Sequence, residues 1–213
     1  MSLVDYLISQ GYLKNPIIIE AFSNIQRKDF ISEEIKSLGD FDQALPIGCG
    51  QTISQPAVVA FMLELLQPCP GDKILDIGSG SGWTTALLSY IVSQVQTNEQ
   101  TPKGKVYAIE IVPELVKFGK ENVSKYNFVK SGIAHFICGD GSKGYPEGAP
   151  YDKILVSAES REVFQPWKEQ LRIGGRIVVP IENSIWLLIK RGEDEFTKKE
   201  YPGFVFVPLV EEE

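Results

Sequence analysis

The stretch KILDIGSGSGW, Lys73 to Trp83, constrains the fold of this chain more than any other. A short, mostly apolar run passes directly into three glycines, Gly78, Gly80 and Gly82, and the helical pattern WTTALLSYIVSQ follows at once. A strand that ends in glycines and turns into a helix opens a βαβ unit. There the glycines allow a tight turn and bring a ligand close to the backbone.

The downstream pattern repeats the alternation. KVYAIEI reads as a second strand and PELVKFGKENVSKY as a helix; AHFICGDG and YDKILVSAE read as the third and fourth strands. A helix is expected around Val163 to Leu171, then GGRIVVPI, SIWLLIKR and GFVFVPLV as strands five to seven. Right-handed crossovers make such a sheet mainly parallel and covered on both faces. The last strands lack intervening helices, so the sheet is expected to end in an antiparallel hairpin. Upstream, Val4, Leu7, Ile8, Ile18, Ile19, Phe22 and Ile25 recur at helical spacing, and Pro56 opens a further helical run, AVVAFMLELLQ. We expect one domain: residues 1–56 as a helical extension with a lid loop, residues 57–213 as a Rossmann-like core. The polar segment Ser93 to Lys105 reads as an exposed excursion.

The loop departs from the dinucleotide fingerprint, which requires a glycine where Trp83 stands. It reads D-x-G-x-G-x-G, and the charge of Asp76 suits a cationic ligand and repels a pyrophosphate. S-adenosylmethionine, a sulfonium, meets that requirement. Two further acids stand at strand ends. Glu110 closes the second strand, where a carboxylate can accept both hydroxyls of a ribose. Asp140 closes the third, where it could accept from an adenine amino group. Alone, each is an ordinary strand-end charge. Three on one edge are the pattern of a class I methyltransferase.

Composition excludes other classes. A net charge of −7 opposes nucleic acid and acidic membranes. Three cysteines without a C-x-x-C pair and a single histidine, His135, supply neither a disulfide framework nor a metal site. A reducing cytosol is expected, since the start lacks a signal peptide's features and no run is long enough to span a membrane.

ALPIGCGQTISQP, LDIGSGSG, GDGSKGY with APYDKILVSA, QLRIGGRIVVP and FVPLV occur in this order. Together they resemble the protein-L-isoaspartate O-methyltransferase family, from about Gln43 to Val210. The Q-T-I-S-x-P segment ahead of the glycine loop is the most distinctive part. The resemblance implies a monomeric cytosolic repair enzyme that methylates the side-pathway carboxylate of L-isoaspartyl residues in damaged proteins and leaves S-adenosylhomocysteine. The ester then cyclises to a succinimide that hydrolyses partly to aspartate. It also implies Ser54 as the active-site serine and Thr52 and Ile53 as the loop covering the cofactor. Asp76, Gly78, Ser79, Gly80 and Gly82 fall in the glycine loop, Glu110 at the ribose, and Asp140 with Gly141 at the adenine; Ile111 is counted among the cofactor-binding residues.

A carboxylate is already an anion at neutral pH, so no general base is needed and the enzyme has only to align oxygen, carbon and sulfur. Ser54 and nearby N–H groups are expected to hold that anion; a helix cap ahead of Pro56 is the structural alternative for Ser54. Cys49, Ala57, Ala158 to Arg161 and Glu182 depart from common family forms, and Glu159 would disfavour a second carboxylate nearby unless Arg161 pairs with it. Cys49 has no positive neighbour to form its thiolate and reads as a small filler. Rival readings are a carboxyl methyltransferase for another peptide and a non-catalytic cofactor-binding protein.

Overall fold

The chain enters through two short helices whose starts are set by capping side chains. In α1 (Leu3–Ser9), Ser2 accepts from the Asp5 N–H while the Asp5 carboxylate accepts from the Ser2 N–H, a reciprocal capping box. In α2 (Pro16–Asn24), Asn15 caps the first turn and Pro16 occupies the first helical position. The computed structural model describes residues 1–94 and 104–212, so most of the Ser93 to Lys105 excursion lies outside the described residues. Two 3₁₀ turns (Arg27–Phe30 and Glu33–Leu38) then lead into a small antiparallel hairpin, β1 (Leu45–Gly48) and β2 (Gln51–Ile53).

Helix α3 (Pro56–Leu66) follows, and its Glu64 carboxylate accepts from the N–H groups of Lys14 and Asn15, tying the entry segment to the core. The main elements then alternate: β3 (Lys73–Ile77), α4 (Trp83–Ser93), β4 (Lys105–Glu110), α5 (Pro113–Ser124), β5 (Ala134–Cys138), β6 (Tyr151–Val156), α6 (Gln165–Gln170), β7 (Leu171–Ile181), β8 (Ser184–Lys190) and β9 (Phe196–Pro202). They form a seven-stranded sheet in the order β5-β4-β3-β6-β7-β8-β9, parallel from β5 through β7 and antiparallel beyond. The strand order reverses beside β3, between β4 and β6, and that switch point places ligands at the carboxyl ends of these strands.

One face is covered by a core that draws on helices α1 to α5, including Leu7, Phe22, Leu63 and Leu88. The other is thinner: Tyr151, Phe164 and Trp167 pack there with Ile154 and Ile177. The antiparallel end is a meander rather than a lone hairpin, since β7, β8 and β9 pair in sequence.

The seventh strand is not GFVFVPLV. It is FTKKEYP, Phe196–Pro202, which pairs with β8 along its whole length, from Lys190↔Phe196 to Ser184↔Pro202. As an edge strand with its side chains mostly in solvent, it lacks an apolar signature and carries the lysines that discourage further strand addition. The apolar run instead bends at Gly203 and crosses the carboxyl edge of the sheet. Its start is held by the Asn183 carbonyl, which accepts from the Gly203 and Phe204 N–H groups, each at 2.9 Å. Further on it pairs with Glu159, whose N–H donates to the Val207 carbonyl at 2.8 Å and whose carbonyl accepts from the Leu209 N–H at 2.7 Å. Its apolar residues are explained by the groove they line.

Candidate active site

The turn after β3 is held from the neighbouring strand. The N–H groups of Gly78 and Ser79 both donate to the Ile109 carbonyl, at 2.9 and 3.1 Å. Gly82 starts α4 with φ of 85°, and a Cβ there would stand 2.8 Å from the Gly119 carbonyl oxygen, so only glycine fits. Glu110, at the end of β4, accepts from the Gly80 N–H at 2.9 Å and the Val112 N–H at 3.0 Å, so its carboxylate ties two loops together beside the groove.

Asp76 lies wholly buried beneath this turn. One carboxylate oxygen accepts from the hydroxyls of Thr85 at 2.7 Å and Thr84 at 2.9 Å; the other has no partner. Burial pushes the carboxyl up to about 6, opposed by the two threonine bonds and aided by the Glu110 charge. Asp140 serves as a cap, with Oδ1 accepting from the Ser142 N–H at 2.9 Å and Oδ2 from the Glu212 N–H at 3.3 Å. Burial works to raise this carboxyl, but the bonds from Ser142 and Glu212 and the nearby Lys143 ammonium outweigh it and hold it below the usual range. Beside it, the indole N–H of buried Trp167 donates to the Gly141 carbonyl at 2.8 Å.

The Leu45 to Pro56 segment is the hairpin β1–β2, turned by three successive left-handed residues, Gly48, Cys49 and Gly50. Cys49 is exposed at its tip. The hairpin rests on the glycine loop, since a Cβ at Gly80 would meet Ile47 Cδ1 at 3.2 Å. Ser54 is not the cap of α3. Asp42 does that work, accepting from the Ala57 N–H at 2.8 Å and from the Gln55 side-chain amide at 3.1 Å. The Ser54 hydroxyl is left for another partner.

Three adjoining grooves meet here. The first runs past Gly78, Gly80, Glu110, Ile111 and Gly141 and is closed by the tail residues Val207 to Val210. The second lies under the hairpin, among Ile53, Ser54, Ser79, Ser81, Trp83 and Thr84. The third opens outward between Ser54, Gln55 and Val58 on one side and Val205 to Val207 on the other. Thr52 and Ser157 line all three. Among the described residues, Glu110 is the only charged side chain in any of these linings.

That donor set fits a sulfonium nucleoside. The first groove is flanked by Ile77, Ile109 and Leu209, and Glu110 lines it. The second holds two buried donors without partners, the Ser79 hydroxyl and the Trp83 indole N–H. No cation is present to meet a phosphate.

The grooves thus gather Thr52, Ile53, Ser54, Gly78, Ser79, Gly80, Glu110, Ile111 and Gly141. Asp76, Gly82 and Asp140 stand behind the lining and shape it. Ser157 went unnoticed in the sequence, because a lone serine at a strand end carries no signal until the β3–β6 pairing brings it beside Gly78. Of the Ala158 to Arg161 departure, Ala158 lines the first groove, whereas Glu159 pairs through its backbone with the tail. Arg161 contacts Glu162 and Glu211 and stacks over Phe164.

The protein-family model described as Protein-L-isoaspartate(D-aspartate) O-methyltransferase matches residues 1–213. A protein-L-isoaspartate O-methyltransferase of Methanopyrus kandleri is 39% identical over 99% of this chain and 91% of its own length. One of Thermococcus sibiricus is 40% identical over 100% of this chain and 93% of its own. Among solved structures, a protein-L-isoaspartate O-methyltransferase from Plasmodium falciparum in complex with S-adenosyl-L-homocysteine shares the fold, with a TM-score of 0.85 at 23% identity. That match covers 98% of this chain and 96% of the other.

Proposed function

This chain belongs to the protein-L-isoaspartate(D-aspartate) O-methyltransferase family, and from that premise we propose that its three grooves bring methyl donor and damaged peptide together at Thr52 and Ser157. The enzyme is an S-adenosylmethionine-dependent protein-L-isoaspartate O-methyltransferase, and its substrates are isoaspartyl-containing proteins and peptides. The observation that carries the site assignment is the meeting of the grooves at two hydroxyl side chains, with Ser54, whose hydroxyl bonds to no other described residue, lining both the second and the outer groove.

When bound, S-adenosylmethionine supplies an electrophilic methyl group on a sulfonium, which a carboxylate can take by direct displacement. In our reading the first groove holds the nucleoside, with Glu110 toward the ribose hydroxyls, Ile111 on the ring face and Gly141 at the far end. The second holds the methionyl part, against Ser79 and under Thr52 and Ile53. The outer groove admits the peptide, and Ser54 orients its carboxylate with a neutral donor. A neutral donor suits the task, because tight pairing with a cation would stabilise the anion in the ground state and blunt its attack. Alignment therefore carries most of the catalysis.

We further propose that residues 1–56 serve as extension and lid to a core of residues 57–213, in a monomer that works in the cytosol. No helix among the described residues is long and apolar enough to cross a membrane, which accords with that setting.

The reaction type is tested with labelled S-adenosylmethionine and a peptide carrying one isoaspartyl residue. Label recovered as a base-labile methyl ester at that residue supports the reading. Base-stable label, or none, overturns it.

A further inference from the structure

Arg27 is the least expected charge in the molecule. It sits in the first 3₁₀ turn, only 3% exposed, and no carboxylate pairs with it among the described residues. Its guanidinium is surrounded by backbone carbonyls instead. Nη1 donates to Gly39 and Phe41, each at 3.2 Å, and Nη2 donates to Gln43 at 2.7 Å and Ser54 at 3.2 Å. These acceptors span the whole approach to the hairpin and the residue that follows it. The guanidinium carbon also stands 5.4 Å from the Trp83 ring, and Trp83 lines the groove beneath that hairpin.

A single planar group therefore binds both ends of the hairpin and touches the start of α4. Four donors in a fixed fork can serve four carbonyls at once; an ammonium has three donors arranged tetrahedrally and cannot reproduce that pattern. The arrangement serves the fold as well, since an apolar side chain there would leave these carbonyls without their donor; a role in methyl transfer is therefore read per competent site.

We infer that Arg27 is a positioning residue for methyl transfer, fixing where the Ser54 segment stands relative to the glycine loop. The inference rests on the assignment of Ser54 to the substrate carboxylate. Arg27 touches neither reactant; it acts through the Ser54 carbonyl and the Trp83 ring.

The decisive comparison is Arg27→Lys against Leu13→Ala. Leu13 is buried in the entry segment, has no part in the grooves, and loses stability by leaving a cavity. Both variants are assayed at saturating S-adenosylmethionine, which adds stability by mass action, and kcat is expressed per site that binds S-adenosylhomocysteine in calorimetry. The expected result for Arg27→Lys is a kcat per competent site reduced by about tenfold or more, with S-adenosylhomocysteine affinity changed less than about threefold. Leu13→Ala should lose thermal stability and keep its kcat per site. In Arg27→Ala, added guanidinium at millimolar concentration should restore kcat in part. A normal kcat per site in Arg27→Lys overturns the inference. So does a failure to bind S-adenosylhomocysteine in Arg27→Lys and guanidinium-supplemented Arg27→Ala alike, which would make Arg27 a folding residue. An unmutated enzyme that methylates no isoaspartyl peptide would instead fault the functional reading, and the two failures are therefore distinct.

Discussion

Asp76 and Ser54 divide the labour of the site between them. Asp76 is wholly buried, with one oxygen unpartnered, and its carboxyl is raised to about 6 from 3.8. The folded chain therefore holds that proton more tightly than the unfolded chain does. The associated stability is present in full below about pH 4 and is lost as pH rises through about 6, costing the fold about 3 kcal/mol at neutral pH. Asp76→Asn should raise the melting temperature at pH 7, with the gap to the unmutated chain closing by pH 4; calorimetric melts at the two pH values check it. The same substitution should weaken S-adenosylmethionine binding, because a negative charge beneath the loop favours a sulfonium. Ser54→Ala should do the reverse, lowering kcat by about tenfold or more while cofactor affinity stays within about threefold. Titration calorimetry beside steady-state kinetics separates the two, and equal loss of binding in both variants would make Ser54 purely structural.

At the scale of elements, the tail and the hairpin matter more than their regular structure suggests. Val207 to Val210 wall the first groove, while the paired β9 precedes them. Truncation after Pro202 should leave the sheet intact by circular dichroism and weaken cofactor binding by about tenfold or more, through loss of apolar contact. The tail's exposed ion pair, Arg161 with Glu211, should matter little: Arg161→Ala is expected to shift stability by less than about 0.5 kcal/mol. The sequence made β3, its glycine turn and the alternation through α5 readable, since each bears its own periodicity and punctuation. The seventh strand was misplaced for a physical reason. Apolar patterning reports contact with apolar neighbours, and Phe204, Phe206 and Leu209 of FVFVPLV lie half-buried against the core, whereas FTKKEYP pairs at a solvated edge. Ser157 was equally hidden, because its importance comes from the pairing of β3 with β6. Ser54 was legible only through the distinctive Q-T-I-S-x-P run; the capping of α3 by Asp42 then freed its hydroxyl.

Across the whole molecule, a net charge of −7 surrounds grooves whose linings hold no cation. Substrate peptides should feel that field before they reach Ser54. An isoaspartyl peptide of positive net charge should show a higher kcat/KM than an otherwise matched negative one at low salt, and the difference should vanish near 0.5 M salt, where screening falls to about 4 Å. Persistence of the difference at high salt would point to a specific contact instead. Repair of isoaspartyl damage by this constellation is tested most directly by kcat/KM for an isoaspartyl peptide and its aspartyl twin, identical in sequence. The isoaspartyl peptide should be methylated with at least about a hundredfold preference, as expected where a site is shaped for one backbone path. Equal methylation of the twins would contradict it.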